Sequence, residues 1–420
     1  MSVDLNLSEA ALAEPAARLM TRCDELAGIS SDPDCLSRFY LTPEHRKAND
    51  KVAGWMRAAG LETWEDAAGN LWGRYAAADP AATQALIVGS HLDTVPNAGR
   101  YDGMLGVLTA LSAVEQLRAA KVRLPFHIDI VGFGDEEGAR FGTTLLGSRA
   151  VAGTWQDSWW ELTDAEGVSL YSAFERFGLN PARIGEAARS PQGLLGYLEL
   201  HIEQGPVLEQ RDEPLGVVTA IAGARRVDIE LVGHAGHAGT VPMNMRRDAL
   251  VGAAEFILAA ERVAREEGVV ATVGRCEALP GGVNVIPGAV HLSLDIRSAD
   301  DRLRDHALTI IRDQLKHIEE LRELSSTWRE IHNAPSVACA EWWQQLQCSV
   351  LSDLNLKALR LMSGAGHDAM AMAEITDCAM YFLRCKGGIS HHPDESVAQA
   401  DLIPAIATLV QTLLHVRRTG

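Results

Sequence analysis

The sequence predicts an α/β fold: a mixed, mostly parallel sheet covered by helices, interrupted by an inserted α+β domain. Two observations predict it. Apolar strand candidates recur at 84 to 89, 126 to 133, 196 to 202 and 378 to 384, and helical patterns follow several of them, notably 104 to 120. Between about 224 and 335 the texture changes to half-exposed strands and two helices, and another apolar strand with a chemically loaded loop reappears only after residue 375. The expected domains are therefore 1–223 together with 336–420, and 224–335.

Taken in order, residues 7 to 60 read as helical, with an apolar period through Ala11, Leu12, Leu19 and Met20 and again through Val52, Trp55 and Met56, stopped by Gly60. Ala85-Leu86-Ile87-Val88, ending in Gly89, reads as a buried strand. Residues 155 to 192, rich in Trp and Gly and without clear period, read as a helical excursion with loops. In the insert, Arg226 to Leu231 and Val290 to Ile296 alternate strictly, as half-exposed strands do, and 246 to 267 is a long helical pattern. Neither a domain-sized repeat nor a low-complexity tract interrupts this order.

Composition narrows the function. A 47% hydrophobic chain of 420 residues has ample material for a sizeable core. Lys+Arg 38 against Asp+Glu 56 leaves a formal charge of -18, which argues against nucleic-acid and anionic-membrane surfaces and requires local arginines for any anionic substrate. Seven scattered cysteines without a CxxC pair suggest neither a disulfide framework nor a thiolate zinc site, and fit a reducing cytoplasm. The acidic, amphipathic N-terminus is no secretion signal, and no apolar stretch reaches the roughly 18 residues of a membrane span.

Four loops, each after an apolar strand, carry metal-ligand chemistry. The first is Ser90-His91-Leu92-Asp93-Thr94 with Arg100-Tyr101-Asp102-Gly103, at the strand edge where α/β sheets bind ligands. The second, Gly134-Asp135-Glu136-Glu137-Gly138, places adjacent carboxylates where an extended chain points them in opposite directions, one toward a metal and one toward substrate as general base. The third, Tyr197 to Gly205, puts Glu199, His201 and Glu203 on one face. The fourth is Gly388-Ile389-Ser390-His391-His392-Pro393. Each has an ordinary reading as a cap, turn, polar strand face or solvated loop; the set is harder to explain so. His91, Asp102, Glu137, His201 and His391 supply five N/O ligands and no thiolate, enough for two metals sharing a carboxylate about 3.5 to 4 Å apart, and so for a dinuclear hydrolase.

Gly89-Ser90-His91-Leu92-Asp93-Thr94, Asp102-Gly103 and Glu136-Glu137-Gly138 resemble the metal-dependent aminoacylase/carboxypeptidase superfamily. His201-Ile202-Glu203-Gln204-Gly205-Pro206, Gly236 to Met243, Ser363 to Asp368 and Gly388-Ile389-Ser390-His391 resemble more closely its hydantoinase/carbamoylase branch, over nearly the whole chain. The resemblance implies that His91, Asp102 and His201 hold one divalent metal, and Asp102, Glu137 and His391 the other, zinc or else manganese, cobalt or nickel. It implies Glu136 as general base, Asp93 as orienter of His91, and 224–335 as a lid through which the protein forms homodimers. It places His237 on the developing oxyanion, Asn284, Arg297 and His367 with the substrate, and Gln204 either with the substrate or behind a metal ligand; His237, Asn284 and Arg297 also read as loop-tip, turn and surface residues, and His367 as part of a helix start. Where the family motif has one histidine this chain has His391-His392, and the second stays a candidate beside the first.

The implied activity is hydrolysis of a ureido or carbamoyl C–N bond in a small carboxylate substrate. Arg38 to His45 with Trp55-Met56 resemble the allantoate subgroup; N-carbamoyl-L-amino acids or β-ureidopropionate are the alternative. An aminopeptidase or dipeptidase would share the metal core, and a non-catalytic metal-binding protein would have no need for Glu136 beside Glu137. A dinuclear phosphoesterase would want a phosphate cradle that these loops lack.

Overall fold

A computed structural model describes residues 5–419. The chain divides into two compact units, one of Met1–Thr219, Cys339–Leu361 and Ala365–Gly420, the other of Ala220–Ala338 with Met362–Gly364.

In the larger unit the sheet runs in the order Glu62–Glu65, Leu71–Tyr75, His127–Phe133, Ala85–His91, Leu194–Ile202, Cys378–Leu383, Leu215–Ile221. The middle of this order is parallel: Ala85–His91 lies between His127–Phe133 and Leu194–Ile202, and Cys378–Leu383 runs beside Leu194–Ile202. The flanking pairs are antiparallel. Ala85–His91 and Cys378–Leu383 are buried along their whole length, as a strand covered on both faces must be. Leu86, Val88, Ile128, Ile130, Leu198 and Leu200 pack into one core with Leu105, Leu108 and Leu111 of the helix Met104–Ala119 and Leu409 and Leu413 of Gln399–Thr419.

The stretch 7 to 60 is two helices rather than one run. Glu9–Ala27, capped by the Ser8 hydroxyl, buries Leu12, Ala16, Leu19, Cys23 and Leu26 at helical spacing. Pro43–Ala58 starts with Thr42 at its cap and Pro at its first position. Between them the chain lies against the loop that follows Ala85–His91: Leu36 bridges Ala98, and Arg38 exchanges backbone and side-chain hydrogen bonds with Thr94. The Arg38 guanidinium is fully buried and donates to the carbonyls of Leu26, Ile29 and Leu92. The excursion at 155 to 192 holds two 3-10 turns and the helix Leu170–Phe177 around a cluster of Trp155, Trp159, Trp160 and Phe174.

The smaller unit is an antiparallel sheet, Cys276–Leu279, Ala289–Ser298, Gly223–Val232, Ser325–Ala334 in order. Ala289–Ser298 alternates strictly between half-buried and buried. Its inward residues Val290, Leu292, Leu294 and Ile296 share a core with Phe256 and Ala260 of Ala249–Glu267 and Ile311 and Leu315 of Asp301–Arg322. Aspartates 248 and 300 cap these two helices. None of the described helices is long and apolar enough to cross a membrane.

Candidate metal centre and active site

Four parallel strands bring their C-terminal ends to one edge, and the ligand candidates sit there. His91 ends its strand opposite Phe133, and His201 lies near the end of its own, opposite Phe382. The Glu136-Glu137 and Ser390-His391 loops follow Phe133 and Leu383 by a few residues. Asp102 precedes Gly103, whose φ of 75° starts the helix Met104–Ala119; a Cβ there would lie 2.4 Å from the His91 ring, so the helix approaches the imidazole through a glycine.

The side chains meet in two groups that share Asp102. His91, Asp102 and His201 offer ligand atoms within 4.8 Å of one another, as do Asp102, Glu137 and His391. His201 Nε2 lies 3.0 Å and His91 Nε2 3.5 Å from Asp102 Oδ1. His391 Nε2 lies 3.5 Å from both Asp102 Oδ2 and Glu137 Oε1. Glu136 Oε2 is 3.9 Å from His91 Nε2. His392 turns away: its Nδ1 accepts from the Asp394 amide, and of the doublet only His391 enters a ligand group among the described residues.

Glu136 and Glu137 differ from the extended-chain expectation. Asp135 is left-handed at φ 61°, so the backbone bends, and both glutamates bring an oxygen within 4.8 Å of His91 and of each other. Asp93 builds that bend: its carboxylate oxygens accept the amides of Glu136 (3.1 Å) and Glu137 (3.2 Å), while its main-chain carbonyl lies 3.0 Å from His91 Nδ1. Asp93 thus orients the imidazole through its backbone and the glutamates through its side chain.

The donor set fits divalent metal. His91 Nε2 is buried without a hydrogen-bond partner, beside carboxylates that oppose one another. Burial pushes Glu136 well above the usual carboxylate range, with repulsion from Glu137, Asp368 and Asp93 added and His91 opposing. Burial and the Asp102 charge push Glu137 to about 8. Burial also penalises ionised Asp102, yet His201 and His91 beside it hold it well below the usual range. Imidazole nitrogens and carboxylate oxygens without thiolate are the donors of zinc, manganese, cobalt and nickel sites.

In the smaller unit, His237 and Asn284 are exposed neighbours on a short ribbon in which His237 pairs with Val285 and Asn284 accepts the Ala238 amide. His237 Nδ1 accepts from the Gly239 amide, which leaves Nε2 as the donor of the neutral ring. Arg297 binds Asp295 through Nε (2.7 Å) and Nη2 (2.9 Å) and the Gly364 carbonyl through Nη1 (2.6 Å). Three of its five N–H donors are engaged in these bonds.

The profile of peptidase family M20/M25/M40 matches residues 87–415. The chain belongs to this family. This M20 chain is 41% identical over 398 residues to an N-carbamoyl-L-amino acid amidohydrolase of Geobacillus stearothermophilus, covering 94% of this chain and 97% of the relative. It is 39% identical over 423 residues to a probable allantoate deiminase of Oryza sativa subsp. japonica, covering 93% and 86%. A hydantoinase/carbamoylase family amidase from Burkholderia ambifaria superposes with a TM-score of 0.89 at 32% identity, over 96% of this chain and 97% of that one. The M20 protein is an amidohydrolase of the hydantoinase/carbamoylase branch, in a metal-dependent family.

Further residues surround these groups in the M20 protein. Glu203, placed on one face with His201, is half-buried and caps Val207–Arg211 by accepting the Val207 and Leu208 amides. Glu199 is buried and accepts from Ser90, Tyr197 and the Ala369 amide. His367 is buried against His201, ring centroids 4.5 Å apart, and burial with His201 holds it well below the usual imidazole range and so neutral. Gln204, left-handed at φ 55°, donates to Asp102 Oδ2 (2.8 Å) and Ser390 Oγ (3.1 Å), so its amide orients the shared carboxylate. His391 is left-handed as well, at φ 56°. Glu395 had no signal at all: it is buried and binds backbone amides, and nothing in its spacing marks that.

Proposed function

We propose that this chain hydrolyses the ureido or carbamoyl C–N bond of a small carboxylate, with His91, Asp102 and His201 holding one divalent metal and Asp102, Glu137 and His391 the other. The observation that carries the reading is Asp102 common to two ligand groups, with the second glutamate, Glu136, beside them and outside both. When bound, the metals lower the pKa of a water and polarise the substrate carbonyl. Glu136 takes the proton of the attacking water and returns it to the departing nitrogen. Its burial suits the second half of that cycle, because a carboxyl pushed upward holds a proton until the leaving group needs it. To His237 Nε2–H we assign the developing oxyanion, and to the two remaining Arg297 donors and Asn284 the substrate's carboxylate and polar groups.

Allantoate is the first substrate proposed and N-carbamoyl-L-amino acids the second. The N-terminal residues that resemble the allantoate subgroup are structural here: Arg38 holds three carbonyls, Tyr40 binds the Ala68 carbonyl and Thr42 caps a helix. The 41% identical relative named for N-carbamoyl-L-amino acids favours the second substrate. Metal analysis together with ammonia release from allantoate and N-carbamoyl amino acids, and amino-acid release from dipeptides, tests both. Turnover of N-carbamoyl amino acids with allantoate untouched reverses the order, and turnover of dipeptides alone overturns the reading.

A further inference from the structure

We infer that Glu395 is a positioning residue that locks the Asp102 loop to the loop carrying His391; the inference rests on the metal centre proposed above. Glu395 is 3% exposed, and its own amide is anchored on the His392 carbonyl at 3.0 Å. One of its oxygens, Oε1, accepts two successive backbone amides, Tyr101 at 2.8 Å and Asp102 at 3.1 Å. Two amides converging on one oxygen fix the peptide planes on both sides of Tyr101, and with them the direction in which Asp102 leaves the backbone.

The same loop also holds the far end of Asp102. Ser390 Oγ donates to Asp102 Oδ2 at 2.5 Å, and Gln204 joins it there. The segment from Ser390 to Glu395 therefore holds Asp102 by side chain and backbone together, while presenting His391 to the same carboxylate. Gly99 completes the fit: a Cβ at that position would lie 2.2 Å from Glu395 Cδ, so the carboxyl packs directly on glycine backbone. Because Asp102 belongs to both ligand groups, a shift at Glu395 reaches both.

The test is zinc and manganese binding by the purified full-length protein, measured by competition with a chromophoric chelator, in the wild type and three variants. Glu395→Ala weakens binding about 10- to 100-fold, the usual cost of losing a partner that orients a ligand, whereas Glu395→Gln, which keeps an acceptor oxygen, stays within about 3-fold of wild type. Gly99→Ala displaces the carboxyl without removing it and reproduces the alanine loss, which keeps the inference testable if Glu395→Ala does not fold. Unchanged affinity in Glu395→Ala or in Gly99→Ala overturns it, and so does a loss in Glu395→Gln as large as that in Glu395→Ala. A wild-type protein that takes up no divalent ion overturns instead the metal reading beneath it.

Discussion

Two of this protein's histidine sites, the His91–His201 cluster and the His237 ribbon, are built in opposite ways. In the larger unit, His91 and His201 are buried at the ends of parallel strands, each within 4 Å of Asp102, beside Glu136 and Glu137, whose carboxyls burial drives toward the protonated state. In the smaller unit His237 stands exposed on a two-residue strand and owes its orientation to one amide, that of Gly239. The first arrangement holds charge that the fold alone stabilises poorly. The second holds an exposed ring anchored by a single amide. Substitutions of the proposed ligands in the first should therefore disturb metal content and turnover together, and substitution of His237 in the second turnover alone.

The largest effect is expected at Asp102. Asp102→Ala removes the carboxylate common to both ligand groups, so metal analysis should find both ions lost and turnover abolished; retention of one full equivalent would break the shared role. Glu136→Gln should lower kcat by about 10²- to 10⁴-fold, the range for a lost general base, while metal content stays at the wild-type level. Undiminished turnover would move the base elsewhere. His237→Ala should cost about 10²- to 10³-fold in kcat, as removal of an oxyanion donor does, with an unchanged melting temperature because the ring is exposed.

The smallest effect concerns pH. Glu137 rises from its ordinary 4.5 to about 8 in the folded protein, so the folded state holds a proton there that the unfolded state has already released. That contribution is fully present below about 4.5 and is lost as pH rises through about 8. Chelator-treated protein should melt at progressively lower temperature across that window, and added divalent ion, which binds the ionised carboxylates, should remove the decline. A chelated protein whose melting temperature climbs from pH 5 to 8 would contradict the assignment.

The same contrast explains what could be read before the structure. Strand ends were legible because Leu86, Ile87 and Val88, and later Met380 to Leu383, are continuous apolar runs, and loops after such runs stand at the ligand edge. His91, His201 and His391 are conspicuous as residue types. Local direction was not legible: period 2 grouped Glu203 with His201, whereas it caps a helix, and Asp135 breaks the extended geometry on which the Glu136-Glu137 reading relied. Nor was the support visible. Glu395 acts on backbone amides, which carry no signature in the residues they belong to, and Asp93, expected to orient His91, also holds the Glu136 and Glu137 amides unannounced.

Asp135, Gln204 and His391, one on each of three ligand-bearing loops, are non-glycine residues in left-handed backbone. Such a conformation costs an ordinary residue on the order of 1 kcal/mol or more that glycine escapes. Glycine at any of the three would relax the chain locally, and at Gln204 or His391 it would erase a side chain that reaches Asp102. A selection for thermostability alone, blind to turnover, should therefore drift toward glycine at these positions, and one that also requires activity should not.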